Sequence, residues 1–310
     1  MKKQKTVSIK AKLLGVIIPV VIAIVVVLVV AAYQISAGTI KKYSQNLLQS
    51  SVENQASQIE AWLHENLASF QMAKTIIEDL KPSDEELKTI LDGYYGYNSN
   101  YPEGLYVADS TGQLITASES TKKESDVTNS TWYKEGLTRV NMAVGSAYQN
   151  ADGVNVISAS GILNDGSDKV RVISADMTLD RIAIIVNSFI EMNDAEAFLV
   201  DKTSGVILAN RDSSLISQTL GAEGQSHFYQ LTAEKAAEKD YNFATLDGNM
   251  TVFQEVDGTN WLLISYIPTS IVLADLANLR NLMILISVIS ILILCVVIER
   301  TTHDVIASVL

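Results

Sequence analysis

Cysteine, histidine and proline are all scarce in this sequence. The single cysteine, Cys295, lies inside an apolar run, so no intrachain disulfide can hold the fold together. The three histidines, at positions 64, 227 and 303, lie far apart and lack ligand partners at metal-binding spacing. We therefore expect a fold held by its hydrophobic core, with no metal site and no cofactor.

Sequence motifs of common enzymes are also missing. The chain contains no Gly-x-Ser-x-Gly, no His-Glu-x-x-His, no Cys–His pair and no phosphate-binding loop. No pair of carboxylates stands out as a general acid and base. These absences predict that the chain is not an ecto-enzyme.

Two long apolar runs stand near the ends of the chain. The first is 13–33 and the second is 282–298, and both are uncharged and of membrane-spanning length. Five lysines precede the first run without any acid, which favours a cytoplasmic N-terminus. We expect a multi-pass protein of the cell membrane with two spans in contact with lipid, an external middle segment and both termini cytoplasmic. A cleaved signal peptide is the alternative for the first run.

The segment between the two runs is acidic. The whole chain has a net charge of −12. The external segment excludes five N-terminal lysines and Arg300, and also Glu299 and Asp304, so its net charge is −16. Such a surface argues against nucleic acid as a partner. It is compatible with a cationic or zwitterionic small ligand, and equally with simple solubility.

A helical pattern continues after the first run. Apolar residues recur at steps of three and four, which is the period of an amphipathic helix, and this helix is expected over about 36–80. The stripe consists of Leu48, Val52, Ala56, Ile59, Leu63, Leu67 and Phe70, followed by Met72, Ile76, Ile77 and Leu80. A helix of this length has more apolar surface than one small domain covers, so we predict a stalk that pairs with a copy of itself as a homodimer.

The pattern then changes to strands, and the same order of elements occurs twice. The hairpin sequence LYVADSTGQLITA at 105–117 matches FLVDKTSGVILA at 198–209 in form. Short helices and further strands follow each hairpin, including a helix at 178–188 and a strand at 261–266. The fold class predicted is therefore α+β, with two tandem antiparallel sheet units on one long N-terminal helix between two transmembrane helices.

These observations divide the chain into seven predicted segments. They are a cytoplasmic N-terminus (1–12), transmembrane helix 1 (13–33), a stalk helix (34–80), a membrane-distal unit (81–190), a membrane-proximal unit (191–280), transmembrane helix 2 (281–298) and the start of a cytoplasmic linker (299–310).

This layout resembles the double Cache (tandem PAS-like) sensor domains of bacterial transmembrane receptors, most of all those of methyl-accepting chemotaxis proteins. The resemblance covers nearly all of residues 34–280 and includes a Gly-x-x-Trp strand at 258–261. The family has an Asp-Pro-Arg-x-Arg-Pro-Trp-Tyr stretch in the distal unit. Here the stretch reads Asp126-Val127-Thr128-Asn129-Ser130-Thr131-Trp132-Tyr133, so its two ends match and its middle does not.

The resemblance implies a ligand site in the distal unit. In amino-acid-binding members, the Arg two residues before Trp grips the ligand carboxylate, Trp and Tyr wall the pocket, and later Tyr and Asp residues take the amine. Here Ser130 replaces that Arg, and Asn150 replaces an acid two residues after Tyr148. The candidate ligand-binding residues are Tyr106, Asp126, Ser130, Trp132, Tyr133, Tyr148, Asn150 and Asp176.

The chemistry of these residues favours a cation. Aromatic rings beside a carboxylate attract an ammonium group through cation–π and ion-pair interactions. Without the Arg, the motif offers no bidentate fork to a carboxylate unless Arg171 or Arg139 substitutes. The ligand expected is therefore a small amine-containing or cationic molecule.

Structural roles are the alternative for the same residues. Trp132 and Tyr133 suit the core side of a helix, and Asp176 suits the N-cap of a helix starting at 178. In the proximal unit we expect Trp261 in the core and Asp201 in a turn.

The function predicted is small-molecule sensing outside the cell, passed through the membrane as a helix displacement. Residues 301–310 look like the opening of a HAMP linker, and chemotaxis is the output that the resemblance favours. The sensor region of a histidine kinase or diguanylate cyclase has the same front end. A non-signalling membrane-anchored adhesin or structural protein is the alternative of another class.

Overall fold

The computed structural model describes residues 9–150, 153–188, 192 and 194–309. Its helices are α1 (Ile9–Leu80), α2 (Asp84–Asp92), α3 (Thr131–Gly136), α4 (Asp180–Val186), α5 (His227–Ala237), α6 (Thr269–Val272) and α7 (Ala274–Val309). Its strands are β1 (Leu105–Asp109), β2 (Leu114–Ile115), β3 (Ala143–Gln149), β4 (Asn155–Leu163), β5 (Arg171–Thr178), β6 (Glu196–Asp201), β7 (Ile207–Asn210), β8 (Ala244–Leu246), β9 (Asn249–Val256) and β10 (Trp261–Pro268).

The chain divides into two compact units. One comprises Leu47–Ile267 and contains the ten described strands except for Pro268, the last residue of β10; we call it the globular unit. The other comprises Met1–Asn46 and Pro268–Leu310. Its helical segments include both apolar runs, and each run is long and apolar enough to cross a membrane.

The two sheets of the globular unit share one topology. The first sheet has the order β2-β1-β5-β4-β3, and the second has β7-β6-β10-β9-β8. Each begins with an antiparallel hairpin, β1–β2 or β6–β7. The first strand of the hairpin also pairs with the strand of the same sheet that comes last along the chain, which is β5 or β10. The predicted fold class, a long N-terminal helix with two antiparallel sheet units, is confirmed.

The apolar stripe of α1 is buried within the chain itself. Leu48, Val52, Ile59 and Phe70 are fully buried, and the Phe70 ring meets that of Tyr101 edge-on at 4.8 Å. Polar groups attach the same helix to both sheet units. The Gln71 side chain accepts from the Met142 amide, the Glu78 side chain from the Asn164 amide, and the Glu60 side chain from the Asp257 amide.

This burial corrects one step of the reasoning from sequence. The stripe does not need a second copy to cover it, because the sheet units of the same chain cover most of it. Only its C-terminal members Met72, Ile76 and Leu80 are exposed. The homodimer stays a prediction, and its support must come from another face of α1.

Local signals set several element boundaries. Ser83 caps α2 in a capping box with Glu86, in which each side chain accepts from the other residue's backbone amide. The helix predicted at 178–188 is shorter, because β5 extends to Thr178 and α4 begins at Asp180. The helical segment that follows β10 is divided at Leu273 into α6 and α7.

Candidate functional site

Strand register collects four polar side chains on one face of the first sheet. Ser158 on β4 is paired with Asp176 on β5, and Tyr106 on β1 is paired with Ser174, two residues before Asp176. Tyr148 on β3 is paired with Val156, two residues before Ser158. Because directly paired residues and residues two apart point to the same face, the four side chains converge.

Asp176 is the centre of this cluster. Its Oδ1 accepts hydrogen bonds from the hydroxyls of Tyr106 (2.5 Å), Ser158 (2.6 Å) and Tyr148 (3.0 Å). Its Oδ2 lies 2.5 Å from Nζ of Lys122, which comes from the loop after β2. Both oxygens of this buried carboxylate therefore have partners, and one partner is a cation.

Lys122 meets an aromatic ring as well as the carboxylate. Its Nζ lies 4.2 Å from the centroid of the Tyr106 ring, within the range of a cation–π interaction. Its side chain is only 10% exposed. We call Tyr106, Tyr148, Ser158 and Asp176 the cation cage, with Lys122 as its occupant.

Burial keeps the two tyrosines of the cage protonated. Desolvation raises the pKa of Tyr106 well above its ordinary range, and the negative charge of Asp176 adds to the effect. The pKa of Tyr148 is raised for the same two reasons. Both hydroxyls thus donate to Asp176 throughout the physiological pH range.

A cavity of about 390 Å³ opens beside the cage. Asp176 and Tyr148 contribute to its wall together with Lys122, Lys123 and Glu124. Its charged wall residues thus have both signs. A cavity of this size accommodates a small metabolite.

The eight predicted site residues fall into three groups. Ser130, Tyr148, Asn150 and Asp176 line the cavity. Tyr106 does not line the cavity. Its side chain is fully buried, and its hydroxyl donates to Asp176. Trp132, Tyr133 and Asp126 are not on the cavity wall.

Trp132 and Tyr133 lie in the core of the first sheet unit. Both are buried on α3, and the Trp132 ring packs edge-on against the ring of Tyr106 at 4.8 Å. The Trp132 Nε1 donates to Glu124 Oε2 at 2.8 Å. Because Glu124 lines the cavity, the indole contacts a residue of the cavity wall without lining the cavity itself. Burial raises the pKa of Glu124, against the lowering effect of that hydrogen bond.

The remaining candidates have local hydrogen bonds. Asp126 is exposed and accepts from the side chains of Thr128 and Asn129. The Ser130 hydroxyl donates to the carbonyl of Val127 at 2.6 Å. Asp176 lies inside β5 and caps no helix, so the capping alternative is wrong.

Neither arginine considered as a substitute for the missing one is at the cavity. Arg171 pairs with Asp165 (2.8 Å) and Asp84 (2.5 Å). Arg139 lies 3.5 Å from Glu135 and donates to the Ala143 carbonyl. The basic residues at the cavity are Lys122 and Lys123, which sequence reasoning missed because their loop has no periodic pattern.

The second sheet unit has the structural features expected of it. Trp261 is buried in β10, and the Asp201 carboxylate accepts from the amides of Thr203 and Ser204 in the turn. An aromatic cluster fills its core, built from Phe198, Phe228, Tyr229 and Tyr266. Among the described residues, no group of three or more His, Cys, Asp or Glu side chains is placed to hold a metal ion.

Two sheets of one topology on a single long helix define the chain as a tandem PAS-like α+β protein. The family model described as a Cache domain matches residues 32–276, and the chain belongs to this family. No curated protein matches the sequence.

Solved structures share the fold at low sequence identity. The ligand-binding domain of Mlp24 with asparagine is similar with a TM-score of 0.62 and 17% identity, covering 77% of this chain and 99% of that one. The ligand-binding domain of the Pseudomonas fluorescens chemoreceptor CtaA with L-isoleucine gives 0.61 and 19%, covering 77% and 98%. That of the Pseudomonas aeruginosa amino acid chemoreceptor PctC with GABA gives 0.56 and 19%, covering 72% and 99%.

Proposed function

We propose that this chain is the external small-molecule sensing module of a transmembrane chemoreceptor, and that its ligand has an amine or another cationic group. The observation that carries the proposal is the cation cage beside a cavity. A buried carboxylate and a tyrosine ring already hold an ammonium group there, which is the chemistry that a ligand amine would need.

The ligands of similar folds agree with this class. The three similar structures are complexes with asparagine, L-isoleucine and GABA, each of which has an amine. The proposed binding residues are Asp176, Tyr148 and Tyr106 for the amine, with Ser130 and Asn150 on the cavity wall. Trp132 and Tyr133 support the cage from the core, and Asp126 supports the turn that leads into α3.

Signalling in this proposal depends on the two apolar helices. In the proposal these helices span the cell membrane, with the globular unit outside and both termini in the cytoplasm. The lysines before the first run support this orientation. Ligand binding displaces a helix, and the displacement passes through the second span into a HAMP-like segment from 299 onward. The module itself is not an enzyme, and its output is chemotaxis, with a histidine kinase or a diguanylate cyclase as the alternative.

A non-signalling adhesin or structural protein is the rival class. Such a protein needs no cavity and no buried charge on its wall, because adhesion uses exposed surfaces. The desolvation of Asp176 and Lys122 costs stability that a purely structural sheet avoids. The cage therefore favours the sensor.

Calorimetric titration of the full chain in lipid nanodiscs tests the proposal. Amines, amino acids, simple carboxylates and purines are titrated in turn, and we expect heat only from compounds that have an amine. Asp176→Ala should reduce affinity at least about 30-fold, because losing one partner of a buried charge pair costs about 2–5 kcal/mol. Asp247→Asn, an exposed change in the second sheet unit, is the matched control and should bind as the unmodified chain does.

Two results would contradict the proposal. Tight binding of a simple carboxylate that survives Asp176→Ala would show that the cage does not select the ligand. Absence of heat from the whole panel, with the protein folded, would favour the structural protein.

A further inference from the structure

The cation cage is occupied by a side chain of the same chain. Lys122 Nζ lies 2.5 Å from Asp176 Oδ2 and 4.2 Å from the Tyr106 ring centroid. The other oxygen of Asp176 already accepts from three hydroxyls. Since Oδ1 already accepts from three hydroxyls, a ligand ammonium competes with Lys122 for Oδ2 of this carboxylate.

Lys122 is nevertheless placed to move. Lys122 belongs to the cavity wall and its side chain is 10% exposed, so part of this side chain is accessible from the cavity. A lysine has a flexible four-carbon stem, so the ammonium can leave Asp176 by rotation about side-chain bonds alone. The loop has its own attachments, since the Lys122 amide donates to Ser120 Oγ and the Ser120 hydroxyl donates to Glu103.

We propose that Lys122 is an internal counter-ion that the ligand's ammonium displaces from Asp176, and that the released Lys122 then pairs with an anionic group of the same ligand. This inference rests on the proposed function, because it concerns the same site. It narrows the ligand class from amines in general to zwitterions, such as amino acids.

Charge balance is the physical reason for the zwitterion. Before a ligand binds, the Asp176–Lys122 pair has no net charge. A plain amine that takes the place of Lys122 leaves this lysine in a largely buried position without its Asp176 partner, which is costly. The wall carboxylate near it, Glu124, already accepts a hydrogen bond from Trp132 Nε1. A zwitterion restores neutrality, because its ammonium pairs with Asp176 and its carboxylate pairs with Lys122.

This exchange also explains how the site binds a carboxylate although Ser130 stands where the resemblance puts the carboxylate-binding Arg. The Ser130 hydroxyl already donates to the Val127 carbonyl, so it is not the replacement. Arg139 and Arg171 are paired elsewhere. Lys122 supplies the positive charge from a different segment of the chain, eight residues before Ser130.

The test uses matched probes and matched variants. The probes are two pairs of compounds, GABA with 4-aminobutanamide and L-isoleucine with L-isoleucinamide. In each pair the second compound has a neutral carboxamide in place of the carboxylate. They are titrated by calorimetry into the full chain in nanodiscs, unmodified and as Lys122→Met. Lys88→Met, at an exposed position on α2 that does not line the cavity, is the charge control, and Lys122→Arg keeps the charge at position 122.

We expect the unmodified chain to prefer at least one zwitterion over its amide by tenfold or more. In Lys122→Met, the amide should bind at least tenfold more tightly than before, because its competitor is gone, and the zwitterion should lose its preference. Lys88→Met and Lys122→Arg should both keep the preference within about threefold. Circular dichroism checks that each variant folds, and Lys122→Gln is the replacement if the methionine variant does not.

The possible failures are distinguishable. If the unmodified chain binds zwitterions but Lys122→Met and Lys122→Gln leave the ratio between zwitterion and amide unchanged, the displacement is wrong while the amine sensor stands. If the amides bind less tightly to these variants, Lys122 supports the amine instead of competing with it, which also overturns the inference. If no probe binds to any variant, the proposed function fails together with the inference.

Discussion

Individual carboxylates in the first sheet unit are held by cations of quite different exposure. Asp176 pairs with a lysine that is itself largely buried, whereas Asp109, at 1% exposure, pairs with Lys169, whose side chain is 40% exposed. Burial protects the first pair from solvent screening and leaves the second partly open to it. The first arrangement suits exchange with a ligand, and the second stabilises the β1–β2 turn.

Asp109 makes the globular unit less stable at low pH. Burial alone would raise the pKa of this carboxyl, but Lys169 and the donors of Thr111 and Gln113 lower it from 3.8 to about 2. A depressed pKa contributes stability above the unfolded value, and this contribution is lost as the pH falls from about 4 towards 2.

We expect Asp109 to contribute about 2 kcal/mol to the free energy of unfolding at pH 6, by the conversion of about 1.4 kcal/mol per pKa unit. Urea unfolding of the chain in nanodiscs measures it, with the three buried tryptophans, at 62, 132 and 261, as the fluorescent probe. Asp109→Asn should be less stable at pH 6 and should show a flatter dependence below pH 4. An identical slope in the variant would show that other carboxylates are responsible.

At the scale of elements, α1 and α4 are joined by one buried amide. The Gln55 Nε2 lies 3.1 Å, 3.2 Å and 2.9 Å from the carbonyl oxygens of Ile185, Val186 and Ser188 at the C-terminal end of α4, and its two N–H groups are shared among them. The last carbonyls of a helix have no partner within the helix. Gln55 therefore satisfies the end of α4 and attaches it to the long helix.

Gln55→Leu should lower the free energy of unfolding by about 1–3 kcal/mol, because buried carbonyls lose their donor. Gln58→Leu, at an exposed position on the same helix, is the matched control and should change stability by less than about 0.5 kcal/mol. Both are compared by urea unfolding. Equal stabilities for the two variants would show that water replaces the amide at no cost.

At the scale of the whole molecule, the charges at the chain ends predict the orientation in the membrane. A single cysteine simplifies the measurement, since Cys295→Ser gives a cysteine-free background. An impermeant maleimide applied to intact cells should label Asp247→Cys, which is exposed. It should not label Lys3→Cys or Thr301→Cys until the membrane is permeabilised. Labelling at Lys3 in intact cells would contradict the two-span topology.

Self-association should use the face of α1 that the sheets leave uncovered. Ser50 and Ser57 are exposed and seven residues apart, so they lie on one face of the helix, whereas Val52 is fully buried. In membranes, oxidation should cross-link copies through cysteine at 50 or 57 and not through cysteine at 52. Uniform absence of cross-links from Leu47 to Gln58 would contradict the parallel dimer.

The sequence by itself determined the elements and their order. Uncharged runs at 13–33 and 282–298, two matching hairpins and the Ser83 cap are local signals, because each depends on residues within one or two turns of chain. The fold class and the Cache family follow from their order. The resemblance to the Cache family also implied that Asp176 and Tyr148 belong to one ligand site.

Only the tertiary structure decided what surrounds Asp176. Lys122 is 54 residues from Asp176 along the chain and lies in a loop without periodicity, so no local pattern connects them. The same holds for Trp132, whose place in the core depends on how α3 packs against Tyr106. Contacts between distant segments depend on packing and on loop paths, which spacing along a sequence does not specify.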